Sequence, residues 1–152
     1  MEVFRLARKK HPIALSGKGA SICGGRWNSK GTEMVYSAQS RALAMAEVAV
    51  HLSIGTLPND FVMLSINIPK EIKIVSIDEK ILTKGWNVFP YGFTTQILGD
   101  EFIRKNEFCV LKVPSAVVKG DYNYLINPFH KDFSKLTIIE QEDFPFDKRI
   151  FK

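Results

Sequence analysis

Cysteine is scarce in this sequence: Cys23 and Cys109 are the only two, far apart and in no CxxC or Cys/His spacing. That excludes the disulfide framework of a small secreted domain and a thiolate zinc site, and it leaves both as free thiols. Histidine is nearly as scarce. His11, His51 and His130 have no spacing that signals a catalytic triad or a metal site, and no GxSxG elbow is present, so hydrolase and metalloenzyme readings lack support and no metal is expected. No stretch approaches the roughly 18 apolar residues that span a bilayer, and no apolar segment follows the basic N-terminal residues as it would in a secretory signal. A cytoplasmic protein without membrane contact is expected. Internal repeats and Ser/Pro-rich linkers are also missing. With 45% hydrophobic and 24% charged residues, the chain is expected to fold as one domain over residues 1–152.

What is abundant is positive charge. The net charge of +5 calls for an anionic partner, which could be nucleic acid, a membrane face or a phosphorylated small molecule. Much of the excess lies near the start, where Arg5, Arg8, Lys9, Lys10, Lys18 and Arg26 are opposed only by Glu2. A local positive field is therefore expected there.

Periodicity predicts a strand over Glu2 to Ala7 and then a glycine-rich loop from Pro12 to Gly31, able to approach a ligand closely. A short strand at Met34 to Ser37 precedes a helix capped by Ser37 or Ser40 and running to about Leu52. That helix is apolar nearly all round, which predicts burial on most faces. Further strands are expected at Phe61 to Ile68, Ile72 to Ile77, Phe108 to Val113 and Lys135 to Glu140, and a turn around Gly120-Asp121 leads into Tyr124 to Pro128. Trp86 to Gly92 reads as an aromatic loop. A helix from Thr94 to Lys105 carries Ile97, Leu98, Phe102 and Ile103 on its apolar side, with Glu101 and Lys105 spaced to pair. Strands outnumber helices and do not alternate with them, so the fold class expected is α+β, with a mixed, mainly antiparallel sheet and a few helices.

Glu47 stands out, because a carboxylate on an otherwise apolar helix costs several kcal/mol of desolvation, roughly on the scale of buried ions, unless something compensates. It is either paired, with His51 at i+4 or with a basic residue elsewhere, or it faces a cleft where it could stabilise a developing cation. Arg26, within Gly24-Gly25-Arg26-Trp27-Asn28, offers a bidentate fork for phosphate or a surface ion pair. The segment is not a dinucleotide GxGxxG, since spacing and flanking elements differ. Ser115, after Pro114 at a strand end, either contacts a substrate or closes a turn, and Tyr36 is either core or a stacking platform.

Taken together, Phe4-Arg5, Gly24-Gly25-Arg26-Trp27-Asn28, Val35-Tyr36, Ala46-Glu47, Val113-Pro114-Ser115 and Tyr124-Leu125-Ile126-Asn127-Pro128 resemble the RES domain family in order and spacing. The family's namesake Arg, Glu and Ser match Arg26, Glu47 and Ser115. The resemblance implies a toxin of a RES-Xre toxin-antitoxin pair, with an ADP-ribosyltransferase-like fold, that consumes NAD as a substrate and needs no resident cofactor. It implies catalytic roles for Arg26, Glu47 and Ser115, and NAD contacts from Arg5, Lys18, Arg26, Tyr36, Ser115 and Asn123. The acceptor is left open among water, inorganic phosphate and a host protein, the last making the chain an ADP-ribosyltransferase. The implied partner is an Xre-type antitoxin that itself carries the DNA-binding element. Assembly is open between a homodimer and a hetero-oligomer with the antitoxin. Two positions depart from the family pattern, Lys30 and Lys131, where a proline is common. Two other classes remain as alternatives, a nucleic-acid-binding protein and a non-catalytic interaction module. The first has the net charge in its favour, but no basic helix or helix-turn-helix signature is evident.

Overall fold

The computed structural model describes residues 1–151. Seven strands are formed: β1 (Glu2–Arg8), β2 (Val35–Ala38), β3 (Phe61–Asn67), β4 (Ile74–Ser76), β5 (Val110–Pro114), β6 (Tyr122–Ile126) and β7 (Thr137–Asp143). They make one sheet in the order β4-β5-β6-β2-β1-β3-β7, antiparallel except for the β4/β5 pair. The α+β class with a mainly antiparallel sheet is thus what the chain adopts. Three α-helices accompany it: α1 (Lys18–Cys23), α2 (Arg41–Ala49) and α3 (Thr94–Lys105).

Period-two alternation sorts the strand residues onto two faces. On one face Val3, Val35, Val110, Tyr124 and Ile126 form a core closed by Leu136, Leu15 and Phe133. On the other, Phe4, Leu6, Ala38 and Met63 pack under α2, while Leu111, Val113 and Leu125 pack with Trp27, Met34 and the α3 residues Leu98, Phe102 and Ile103. Tyr36 and Ala38, two apart on β2, belong to these two neighbouring clusters, so α2 and α3 lie side by side on the same face. β3 is buried at six consecutive positions, as its unbroken apolar run requires. β7 is an edge strand, and its exposed Glu140, Glu142 and Asp143 discourage pairing with another chain.

Several expectations are corrected. The glycine-rich segment is not all loop, because residues 18–23 wind into α1. α2 ends at Ala49 rather than Leu52, and it is capped by Ser40, whose hydroxyl accepts from the Leu43 amide. Only Leu43 and Ala44 of α2 are buried, and Val50 is 58% exposed, because the helix touches the sheet along a single stripe. β4 is only three residues long. Ile97 is 57% exposed, on the outer side of α3. Glu101 pairs more closely with Arg104 than with Lys105. The N-terminal charges are also less free than expected, since Arg8 pairs with Asp60 and Lys9 with Asp143. Among the described residues no helix is long and apolar enough to cross a membrane.

α3 approaches the chain at Trp27 so closely that only glycine fits: a Cβ on Gly99 would stand 1.6 Å from the Trp27 carbonyl oxygen. Replacing a helical glycine by alanine ordinarily stabilises by roughly 1 kcal/mol. Here Gly99→Ala should do the opposite and cost about 2 kcal/mol or more, because backbone rather than a flexible side chain must give way. Urea denaturation checks the sign, and a stabilised variant would refute the contact.

Candidate active site

The sheet is incomplete between β1 and β2. β1 pairs with β3 at seven positions but with β2 only at Phe4 opposite Ala38, and beyond that point the two strands part. The Tyr36 carbonyl, left without a ladder partner from β1, accepts a hydrogen bond from Nη1 of Arg5 at 2.8 Å. A side chain thus replaces a strand bond, and the seam opens into a cleft of about 110 Å³. Phe4, Leu6, Tyr36 and Ala38 line it from the strands, Glu47 and Val48 from α2, and Asn123 from β6.

Glu47 follows Leu43 by four residues and Ala44 by three, so it projects from the packed stripe of α2 toward the sheet. Its Oε1 accepts from Ser115 Oγ at 2.7 Å and from Asn123 Nδ2 at 2.6 Å. No cation lies within ion-pairing distance of Glu47 among the described residues, and His51 instead packs its ring against Phe89. Neither proposed pairing of Glu47 is therefore formed. Oε2 accepts no protein hydrogen bond among the described residues. Ser115 is buried, and its Oγ also accepts the backbone amides of Val117 at 3.1 Å and Val118 at 3.0 Å. The turn reading of Ser115 is thus formed, and the same hydroxyl also holds Glu47.

Arg26 sits on a loop built to be rigid. Gly24 has φ of 71°, which a side chain would strain, and a Cβ on Gly25 would stand 2.8 Å from the Tyr36 hydroxyl. Tyr36 Oη donates to Asn28 Oδ1 at 2.6 Å and accepts from the Trp27 amide at 3.0 Å. Burial pushes the Tyr36 phenol up from its ordinary range, so it remains a neutral donor. Asn28, fully buried, donates from Nδ2 to the carbonyls of Ala20 and Thr32. α3 grips the same loop. Thr95 Oγ1 donates to the Arg26 carbonyl at 2.6 Å, Gln96 Nε2 to those of Gly25 at 2.9 Å and Asn28 at 3.2 Å, and Asp100 accepts the Ser29 amide and hydroxyl.

The Arg26 guanidinium leaves this loop toward the aromatic segment 86–91. Its Nη1 donates to the carbonyls of Trp86 at 2.6 Å and Val88 at 3.1 Å, and it lies 5.7 Å from the Tyr91 ring centre. No carboxylate pairs with Arg26 or Arg5 within 4.0 Å among the described residues. Burial lowers the pKa of both, and for Arg26 the charge of Glu47 is the main opposing influence. The aromatic segment 86–91 therefore spans from Arg26 to His51, one turn beyond Glu47.

The structure brings Arg5, Tyr36, Glu47 and Asn123 together to line one cleft, with Ser115 bonded to Glu47 and Arg26 near enough to feel the Glu47 charge. Lys18 is different: it is exposed at the start of α1 and does not line the cleft. Asn28, Thr95, Gln96 and Asp100 support the site without having been singled out from the sequence. Their signal was present as a polar stripe on α3 around Gly99, and as an Asn inside the Gly-Arg-Trp-Asn motif. No cluster of His, Cys, Asp or Glu among the described residues is arranged to hold a metal ion. The arrangement offers one free carboxylate oxygen in a cleft that Arg5 lines, with the Arg26 charge near enough to interact with it, which suits a ligand with a cationic centre and an anionic arm.

The chain is 39% identical over 155 residues to a protein of Photorhabdus laumondii named Toxin Res, covering 100% of this chain and 98% of that protein. It is 36% identical to a Sphingobium protein named Prs ADP-ribosylating toxin, covering 96% of this chain and 92% of that protein. In fold it is similar to a chain in the crystal structure of the M. tuberculosis MbcT-MbcA toxin-antitoxin complex, with TM-score 0.71 and 17% identity over 95% of this chain and 84% of that chain. The RES domain model matches residues 2–147. From the split seam to the Arg26 loop, every part of the site falls within that match, and the chain belongs to the RES domain family.

Proposed function

We propose that this protein is the toxin of a toxin-antitoxin pair and cleaves the bond between nicotinamide and ribose in NAD. The observation that carries the reading is the Glu47 carboxylate, held at Oε1 by two neutral donors in a cleft that Arg5 also lines, with Oε2 accepting no protein hydrogen bond among the described residues. The names of full-length relatives support the toxin role. A partner antitoxin of Xre type fits this role, and the fold neighbour's crystal structure is that of a toxin-antitoxin complex.

The reaction breaks the C1′–N bond, and its electron pair leaves with nicotinamide, which departs neutral. The ribose carbon becomes oxocarbenium-like and is then captured by an oxygen nucleophile, which loses a proton. Glu47 faces that positive charge, and its worth is greatest because the cleft is partly shielded from water. Ser115 and Asn123 orient the carboxylate without neutralising it. The Nε and Nη2 of Arg26, together with Arg5, take the diphosphate, and Tyr36 packs beside the ring. A cavity of about 110 Å³ is smaller than the roughly 150 Å³ space that holds a benzene-sized ring, so it takes at most the nicotinamide ring and leaves the ribose, diphosphate and adenosine at its rim and beyond. NAD is thus substrate, with no resident cofactor. Transfer of ADP-ribose to a protein is the second reading, favoured by the name of the Sphingobium relative. It passes through the same cationic carbon and differs only in the acceptor.

Incubation of purified protein with NAD, with and without phosphate, tests the reaction by release of free nicotinamide. Release only with phosphate identifies phosphorolysis, release without it hydrolysis, and an ADP-ribose mass increment on a protein identifies transfer. Absence of release under all these conditions refutes the proposal. Glu47→Gln keeps an oxygen for Ser115 and Asn123, so it should fold normally yet lose at least about 100-fold in kcat and lose toxicity. A variant that still consumed NAD at the wild-type rate would remove Glu47 from the chemistry. Arg26→Ala should raise KM for NAD by about tenfold or more, in line with loss of a charge-assisted contact, and unchanged kinetics would leave Arg26 a purely structural tie. Ser115→Ala should lower kcat more than it raises KM, since Ser115 acts through the orientation of Glu47.

A further inference from the structure

The grip of α3 on the Arg26 loop is more elaborate than packing requires. From Gly25 to Asn28 the loop presents four consecutive carbonyls to this helix: Gln96 takes the first and last, Thr95 takes that of Arg26, and that of Trp27 rests against Gly99. Thr95 is 2% exposed, and its bond at 2.6 Å is short. It stands second in α3, so the residues three and four before it lie outside the helix. A threonine deeper in a helix commonly turns its hydroxyl back to one of those carbonyls, whereas Thr95 directs it to the loop. Its β-branch holds that direction.

We infer that Thr95 is a positioning residue for the diphosphate end of the site. By fixing the Arg26 carbonyl it sets where the Arg26 guanidinium stands. The far end of that side chain is tied to Trp86 and Val88, and among the bonds that hold the loop Thr95 makes the one that falls directly on the Arg26 backbone, so its loss lets the near end of the side chain shift relative to the 86–91 segment. With both ends held, Nε and Nη2, which donate to no protein group among the described residues, keep one position. Gln96 assists by closing the turn at both of its ends, where the Gly25 amide already donates to the Asn28 carbonyl at 2.9 Å. This inference rests on the proposed role of Arg26 in holding the diphosphate of NAD. Glu47 is held by β5, β6 and α2 alone, so Thr95 governs binding and not the carboxylate.

Thr95→Val keeps the shape and removes the donor, and Thr95→Ser restores it. Two measurements decide the matter: KM and kcat for nicotinamide release, and calorimetric titration with ADP-ribose, which carries the diphosphate but no scissile bond. Thr95→Val should raise KM and the ADP-ribose Kd together by about fivefold or more, with kcat per folded molecule within about twofold of wild type and Thr95→Ser close to wild type in both. Partial unfolding lowers the active fraction but leaves KM unchanged, so it does not imitate this result. An unchanged KM and Kd in Thr95→Val, or a Thr95→Ser variant as weak as Thr95→Val, overturns the assignment. If wild type binds ADP-ribose but releases no nicotinamide, the proposed reaction fails while the titration still decides Thr95. If wild type binds no ADP-ribose, the Thr95 assignment falls, while nicotinamide release still decides the reaction.

Discussion

The site depends on how Glu47 is held. A carboxylate facing a sheet must be compensated, and the common solution, an arginine or lysine against it, would cancel the charge that makes it useful. Here the compensation comes from a hydroxyl and an amide, both on Oε1. Neutral donors lower the cost of burial while leaving a full negative charge and a free oxygen. This choice fixes other features. Ser115 must stand at the end of β5, Asn123 must point to the α2 face of β6, and α2 must turn the Glu47 stripe downward. It also requires a space in front of Oε2, which the parted β1/β2 seam provides.

The two arginines follow a complementary rule. Arg5 and Arg26 each give one nitrogen to backbone carbonyls, and neither meets a carboxylate within ion-pairing distance among the described residues. Carbonyl bonds hold a guanidinium in place without cancelling its charge, which is the same logic applied to Glu47 with the sign reversed. The cost is desolvation, visible in the lowered pKa of both groups. A guanidinium stays protonated in proteins, so both arginines remain cationic, and attraction to Glu47 offsets part of the cost at Arg26.

The elements were mostly legible because periodicity is a local property. α3 matches its predicted span from Thr94 to Lys105, and β1 and β3 fall within a residue of theirs. Glu47 was legible as an anomaly, a lone carboxylate in an apolar stripe. Arg26 and Ser115 were not, and only the family resemblance grouped them, since their partners lie 60 or more residues away. The reading of α3 failed in an informative way. Apolar residues suggested a stripe including Ile97, but the contact arc centres on Thr95 and Gly99, with Leu98 and Phe102 on one side and Gln96 and Asp100 on the other. Ile97 lies about 160° around the helix from Gly99, and so it faces outward. Half of the buried face of α3 is polar because it packs against backbone carbonyls, a partner that hydrophobic periodicity does not register.

Charge shows the same distinction between composition and arrangement. A basic N-terminal third suggests a broad field, yet Arg8 and Lys9 are answered by Asp60 and Asp143, carboxylates that only the folded sheet brings near. Arg41 is likewise answered by Glu140 and Glu142 of the edge strand. Of the positive charges of the N-terminal segment, Arg5 lines the cleft and Arg26 stands near enough to interact with Glu47, both partly withdrawn from water. A spread-out basic face would favour a polyanion, binding wherever phosphates pass. A concave, low-dielectric seam lined by Arg5 and the Glu47 carboxylate, with the Arg26 charge near enough to interact, favours instead a small ligand whose anionic arm and electron-poor centre are set at fixed separation. The net charge of the chain is therefore a poor guide to its partner, and the pairing pattern of individual side chains is the better one.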